Sequence, residues 1–150
     1  MAYTPLAQTF FFDSFGVNTA RGEVVFSYST DAGHHFTHTL SMAFPSDANA
    51  EAVAPAVFAL GMAELPSYWK AILAPSIVIK AGALDETQIA FWENLYTKGL
   101  GEFFYVNQID FCGLVNIRSD LSAPRLAVSS RIGASALVPL GGGKDSLVTA

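Results

Sequence analysis

The stretch Val24-Val25-Phe26-Ser27-Tyr28-Ser29 decides the reading of the fold, because Val24, Phe26 and Tyr28 alternate with Val25, Ser27 and Ser29. A period of two places one set on a buried face and the other toward solvent, the mark of a half-buried strand. After Asp31-Ala32-Gly33, whose composition suits a hairpin turn, the alternation resumes. Phe36, His38, Leu40, Met42 and Phe44 share one parity, and His35, Thr37, Thr39 and Ser41 the other. An earlier strand around Thr9 to Phe15 is expected to pair with the second through the turn Asn18 to Gly22. The expectation is an antiparallel β-meander of three strands with one apolar face.

Pro45-Ser46-Asp47 interrupts the sheet, and the Ala-rich sequence from about Asn49 to Glu64 predicts a helix that tolerates Pro55 near its first turn and ends at Pro66. Ile77-Val78-Ile79 is a short β-branched run. A second helix starts with Asp85 as N-cap, Gln88 completing a capping-box-like pair and Leu84 stapling onto Ile89. It carries Ile89, Trp92, Leu95 and Tyr96 on one face. Gly99 is expected to end it in the left-handed region, with Leu100 packing back on Leu95. From Ser119 to Ser135 the composition shifts to Ser, Ala, Pro and Arg, which predicts a linker. The domains expected are thus 1–118, an α+β unit with two main helices; 119–135, a linker; and 136–150, the opening of a second, α/β domain cut short by the end of the sequence.

Thirteen acidic residues against eight basic ones give a net charge of -5, which repels nucleic acid and anionic lipid. An apolar content of 51% with 14% charged residues argues for a folded domain. The longest apolar run, Ala52 to Ala63, contains Pro55 and falls short of the roughly 20 residues a membrane-spanning helix needs. The start of the chain has no secretion-signal pattern. The lone Cys112 can form no internal disulfide and fits a reducing, cytoplasmic setting. It reads as a buried small apolar residue. His34, His35 and His38 fall on a strand: His35 faces opposite to the other two, and His34 and His38 lie roughly 13 Å apart at about 3.3 Å per residue, too far to share one ion. They read as structural side chains.

The segment that carries chemistry is the last. Ala136-Leu137-Val138-Pro139-Leu140 reads as a strand, Gly141-Gly142-Gly143-Lys144-Asp145-Ser146 as a loop, and Leu147 onward as the opening of a helix. Glycines let backbone N–H groups close around phosphate oxygens, the helix N-terminus adds partial positive charge, and Lys144 neutralises an anion. Val138 stands where a Walker A loop has its first glycine and Asp145 where it has Ser or Thr, so the loop is not of that type. It resembles the Ser-Gly-Gly-x-Asp-Ser loop of the ATP pyrophosphatase superfamily, with Gly141 in place of the leading Ser.

Beyond that loop, Ser67-Tyr68-Trp69-Lys70-Ala71, the stretch from Leu95-Tyr96 through Gly99-Leu100-Gly101-Glu102-Phe103-Phe104-Tyr105-Val106-Asn107, and Leu140 through Val148 resemble the bacterial UDP-N-acetylmuramoyl-L-alanyl-L-glutamate epimerase family. The resemblance spans most of the chain and is weakest over the first forty residues. It implies ATP- and Mg2+-dependent inversion of the terminal glutamate of the muramoyl dipeptide, for peptidoglycan synthesis, in a larger cytoplasmic enzyme. This sequence is then its front part, inactive by itself. In that picture Gly141, Gly142, Gly143, Lys144, Asp145 and Ser146 bind the pyrophosphate of ATP, and Asp145 reaches the metal. The implied partners are the UDP-N-acetylmuramoyl dipeptide and the remainder of the enzyme's own chain, with no nucleic acid and no membrane.

Two residues are candidates for contact with substrate or for proton transfer. Lys70, flanked by Tyr68 and Trp69, serves as a proton carrier if burial depresses its pKa; otherwise its stem covers the core and its ammonium reaches water. Glu102 lies beyond a helix end among Phe103, Phe104 and Tyr105, where partial burial would suit a base. Asn107 and Asp110 are weaker candidates. The alternatives are another adenylating ligase or thiolation enzyme of the ATP pyrophosphatase type, or a non-catalytic interaction module.

Overall fold

The structure is a computed structural model that describes residues 4–126 and Val148. The strand pattern folds as expected, into β1 (Thr9–Asn18), β2 (Glu23–Thr30) and β3 (His35–Ser41). Antiparallel pairing sets Phe10 opposite Thr30 and Val24 opposite Leu40. Gly33, at φ 84°, turns the β2–β3 hairpin, and its N–H bonds to the Thr30 carbonyl. In β1 the apolar residues change parity between Phe12 and Phe15. A β-bulge at Asp13 resolves this, since Phe12 pairs with Tyr28 and Ser14 with Ser27. The extra residue returns Phe15 and Val17 to the face already held by Phe10 and Phe12.

The sheet is larger than the three strands expected. β4 (Ser76–Ile79) lies parallel to β1, and β5 (Ile117–Ser119) lies parallel to β4, giving the order β3-β2-β1-β4-β5. The whole is a mixed α+β fold. α1 (Ala50–Ile72) and α2 (Glu86–Gly99) cover one face, and the short α3 (Gly101–Val106) follows. Beneath α1, Phe10, Phe12, Val24, Phe26, Tyr28, Met62, Leu65, Trp69, Ile77 and Ile79 are almost fully removed from water.

Asp85 caps α2 as expected. Its carboxylate accepts from the Gln88 N–H at 2.9 Å, and the Gln88 side chain accepts from the Asp85 N–H at 3.0 Å. Asp85→Ala should lower stability by about 1 kcal/mol, seen as an earlier urea midpoint with unchanged slope. A full return of stability in Asp85→Ser, another good N-cap, would tie the loss to the cap.

Three expectations need correction. Pro66 does not end α1, which continues to Ile72 and closes at Leu73 in the left-handed conformation at φ 51°. A proline inside a helix leaves the carbonyl four residues earlier without its donor. Here that carbonyl belongs to Met62, and the buried Tyr96 hydroxyl of α2 donates to it. The Tyr28 hydroxyl donates to the neighbouring Gly61 carbonyl at 2.8 Å. Tyr96 thus supplies the donor that Pro66 removes and lets the helix run on, while Tyr28 ties the preceding turn to the sheet.

Gly99 does end α2 but has no positive φ, because the chain runs into α3 rather than reversing; Leu100 sits between the two helices at φ -98°. Cys112 is exposed, not buried. It lies in a surface turn where its N–H bonds to the Asp110 carboxylate at 3.0 Å. Of the stretch read as a linker, Ser119 closes β5, the Ala83 N–H bonds to the Pro124 carbonyl at 3.0 Å, and Leu126 packs against the core.

Candidate functional site

The stretches Ser67–Ala71 and Leu95–Asn107 belong to different helices, and the fold brings them together. Ser67 and Lys70 on the last turns of α1 face Leu95 and Tyr96 on α2 and Leu100 at the α2–α3 junction, around a cleft of about 280 Å³. The Lys70 ammonium lies 5.8 Å from the centre of the Phe103 ring of α3, within cation–π range. Trp69, next to Lys70, points the other way. It is fully buried, donates Nε1–H to the Ala74 carbonyl at 2.9 Å and meets Phe104 edge to face.

What this cleft can hold follows from its size and lining. Sites that enclose a cofactor or drug-sized ligand run to roughly 300–1,000 Å³. A cleft of about 280 Å³ walled mainly by apolar groups fits a side chain or the edge of a helix, not a nucleotide sugar. Lys70 is its one charged lining residue. Glu102, on the first turn of α3, is exposed, so the burial expected to suit it for base work is absent. Lys70 and Glu102 form no ion pair; the salt bridge among the described residues joins Lys80 to Asp13 at 2.9 Å. Asn107 bonds its side-chain N–H to the Phe103 carbonyl at 2.8 Å, a cap on α3. Asp110 holds the turn at Cys112; the backbone N–H of Cys112, with its thiol, keeps that carboxyl below its usual range, and the same contact pushes the thiol up. A more open hollow, about 460 Å³, lies at the far end of the β1–β2 hairpin, with Arg21 as its only charged wall; it is remote from these stretches.

A polar cluster that sequence reasoning missed lies under the sheet edge. His38 Nδ1 is 2.6 Å from the Tyr68 hydroxyl, and Tyr68 stacks on Tyr28. His34 instead bonds through Nδ1 to the Thr30 hydroxyl at 3.0 Å. His38 and Tyr68 are thirty positions apart, and neither residue alone signals the pair. Among the described residues, no group of three His, Cys, Asp or Glu side chains is placed to hold a metal ion. Nor is any described helix long and apolar enough to cross a membrane. The loop residues Gly141, Gly142, Gly143, Lys144, Asp145 and Ser146 lie outside the described residues.

The buried hydroxyls carry a pH signature. Burial, reinforced by the charge of Glu64, pushes the Tyr28 phenol well above its ordinary value, and burial does the same to Tyr96. In the unfolded chain both phenols ionise near pH 10. A folded-state pKa raised above that value gives stability fully present below about pH 10 and lost as pH rises past it. The melting temperature should therefore fall above about pH 10, with phenolate absorbance from these two residues appearing only as the fold opens. Absorbance of Tyr28 and Tyr96 that rises before melting would contradict the burial.

Comparison with known proteins places this geometry in a family. The family described as the MurL N-terminal domain matches residues 1–150. A UDP-N-acetyl-alpha-D-muramoyl-L-alanyl-L-glutamate epimerase of Xanthomonas oryzae pv. oryzae is 33% identical over 94% of this chain and 32% of its own length. The enzyme of the same name from a Micromonospora strain is 31% identical over 93% of this chain and 33% of its own. That from Salinispora tropica is 27% identical over 93% of this chain and 32% of its own. The chain thus spans about a third of the length of the curated relatives it matches. No solved structure matches it. Matched from its first residue to its last, the chain belongs to the MurL N-terminal domain family.

Proposed function

We propose that this chain is the N-terminal domain of an ATP-dependent epimerase that inverts the terminal L-glutamate of UDP-N-acetylmuramoyl-L-alanyl-L-glutamate to the D-form. The observation that carries the reading is the similarity, over more than nine-tenths of the chain, to relatives bearing that name. Cytoplasmic location and a role in peptidoglycan synthesis follow from the substrate.

The chemistry has a physical reason to need ATP. A carboxylate strongly suppresses the acidity of its neighbouring Cα–H. Joining the carboxyl to AMP, with release of pyrophosphate, removes the negative charge, so that an ordinary side-chain base can take the proton and return one from the opposite face. Water then cleaves the anhydride to the D-centre and AMP. In this reading the Gly141–Ser146 loop grips the pyrophosphate, with Lys144 as counter-charge and Asp145 toward magnesium. Lys70, lining the α1–α2 cleft, and Glu102, on the first turn of α3, are the side chains this reading offers for substrate contact or proton transfer. In this reading residues 1–150 alone should release no AMP.

The test is to incubate the full-length protein with the UDP-muramoyl dipeptide, ATP and magnesium, and to follow AMP together with the chirality of the glutamate. AMP with D-glutamate supports the proposal. AMP without inversion moves the protein to the adenylating ligases or thiolation enzymes, and no AMP removes the adenylation mechanism. Deleting residues 1–118 then asks whether this domain is only a docking module, in which case adenylation survives.

A further inference from the structure

We propose that the groove between α1 and α2 is the docking surface for the larger, C-terminal part of the family's polypeptide. Along α1, Ala59, Ala63 and Ser67 recur every fourth residue, and all three are exposed. Small side chains at that spacing form a low wall that lets a partner's backbone approach closely. Across from them, α2 presents Phe91 and Leu95, one turn apart and 57% and 44% exposed. Two hollows between these walls, about 260 and 280 Å³, are separated by a single helical turn. Together they extend from Pro55 to Lys70, roughly 22 Å at about 1.5 Å per residue. That is long enough for about four turns of a helix laid in the groove.

Large apolar side chains exposed beside two neighbouring hollows mark an interaction site rather than a solvated face. Its occupant follows from where the continuous described chain stops. Leu126, the last residue of the continuous described chain, lines the upper hollow beside Phe58 and Gly82, so whatever follows it in the chain starts at the mouth of the groove. The curated relatives carry about two-thirds of their length beyond the region matched here. A covalent connection that starts at the groove holds that part at high effective concentration, which favours it over a second copy of this domain. The docked element should present large apolar side chains toward Ala59, Ala63 and Ser67 and leave a gap for Phe91 and Leu95. The inference holds whichever reaction the enzyme performs.

The test uses the full-length protein with no substrate present. Single substitutions Ala59→Cys and Ala63→Cys, on the small-residue wall, are compared with Ala90→Cys on the far side of α2. Maleimide labelling is read at each site by peptide mass. Docking predicts that both groove cysteines react at least roughly tenfold more slowly than Ala90→Cys, because reaction requires the interface to open. It also predicts that this protection does not change on dilution. Labelling of both groove sites as fast as Ala90→Cys would overturn the proposal. Protection that fades on dilution would overturn it too, assigning the groove to a second copy.

Discussion

Replacing Trp69 by alanine should destabilise the domain by about 3–5 kcal/mol, lowering its melting midpoint by roughly 10 °C or more. Trp69 has no exposure, packs edge to face on Phe104 at 6.4 Å between ring centres, and stands where α1 turns back into the sheet. Its removal opens a cavity between α1 and α3 that neither helix can collapse into. It also strips the Ala74 carbonyl, itself fully buried, of its donor. Trp69→Phe separates the two effects, since it keeps most of the volume and loses only the N–H. The cost of that orphaned acceptor is about 1–3 kcal/mol. A loss below about 1 kcal/mol for Trp69→Ala would mean that α3 is not anchored as described.

Gly61→Val should be comparably damaging for the opposite reason. A Cβ at position 61 would stand 2.5 Å from the Phe12 ring and 2.8 Å from the Phe26 ring. Both rings have no exposure, and Phe12 is stacked on Phe58, so none can swing aside. Overpacking of this kind costs about 1–3 kcal/mol or more, and a β-branched residue brings two further carbons into the same space. Gly61→Ala is the more telling variant. Alanine favours the helix by about 1 kcal/mol over glycine, so a net loss of stability would report the close approach of α1 to the sheet. A net gain would show that α1 rides higher than described.

The fold was legible wherever a local rule had no competitor. The alternation of Val24, Phe26 and Tyr28 with polar neighbours could be read only as a strand, and Asp85 with Gln88 only as a helix start. It was illegible where distant residues decide. β5 has three residues, too few for any periodicity, and it exists because Ile77 and Ile117 need each other's company beneath α2. The run to Ile72 could not be foreseen from Pro66, since the compensating hydroxyl comes from Tyr96, far off in sequence. The cleft was half visible. Its stretches could be quoted, but not their meeting or the exposure of Glu102, which depends on how α3 leaves α2. The glycine loop, clearest in sequence, lies outside the described residues.

The Pro66 gap makes two helices depend on one hydroxyl. While α2 is seated, Tyr96 supplies the donor that proline withholds from Met62. If α2 lifts away, that carbonyl is left facing an apolar core, and the turns of α1 on either side lose a reason to stay wound. The last turns of α1 and the whole of α2 therefore cannot fray separately. They should lose amide-hydrogen protection together, as a single opening unit, while β1 and β2 beneath them keep theirs.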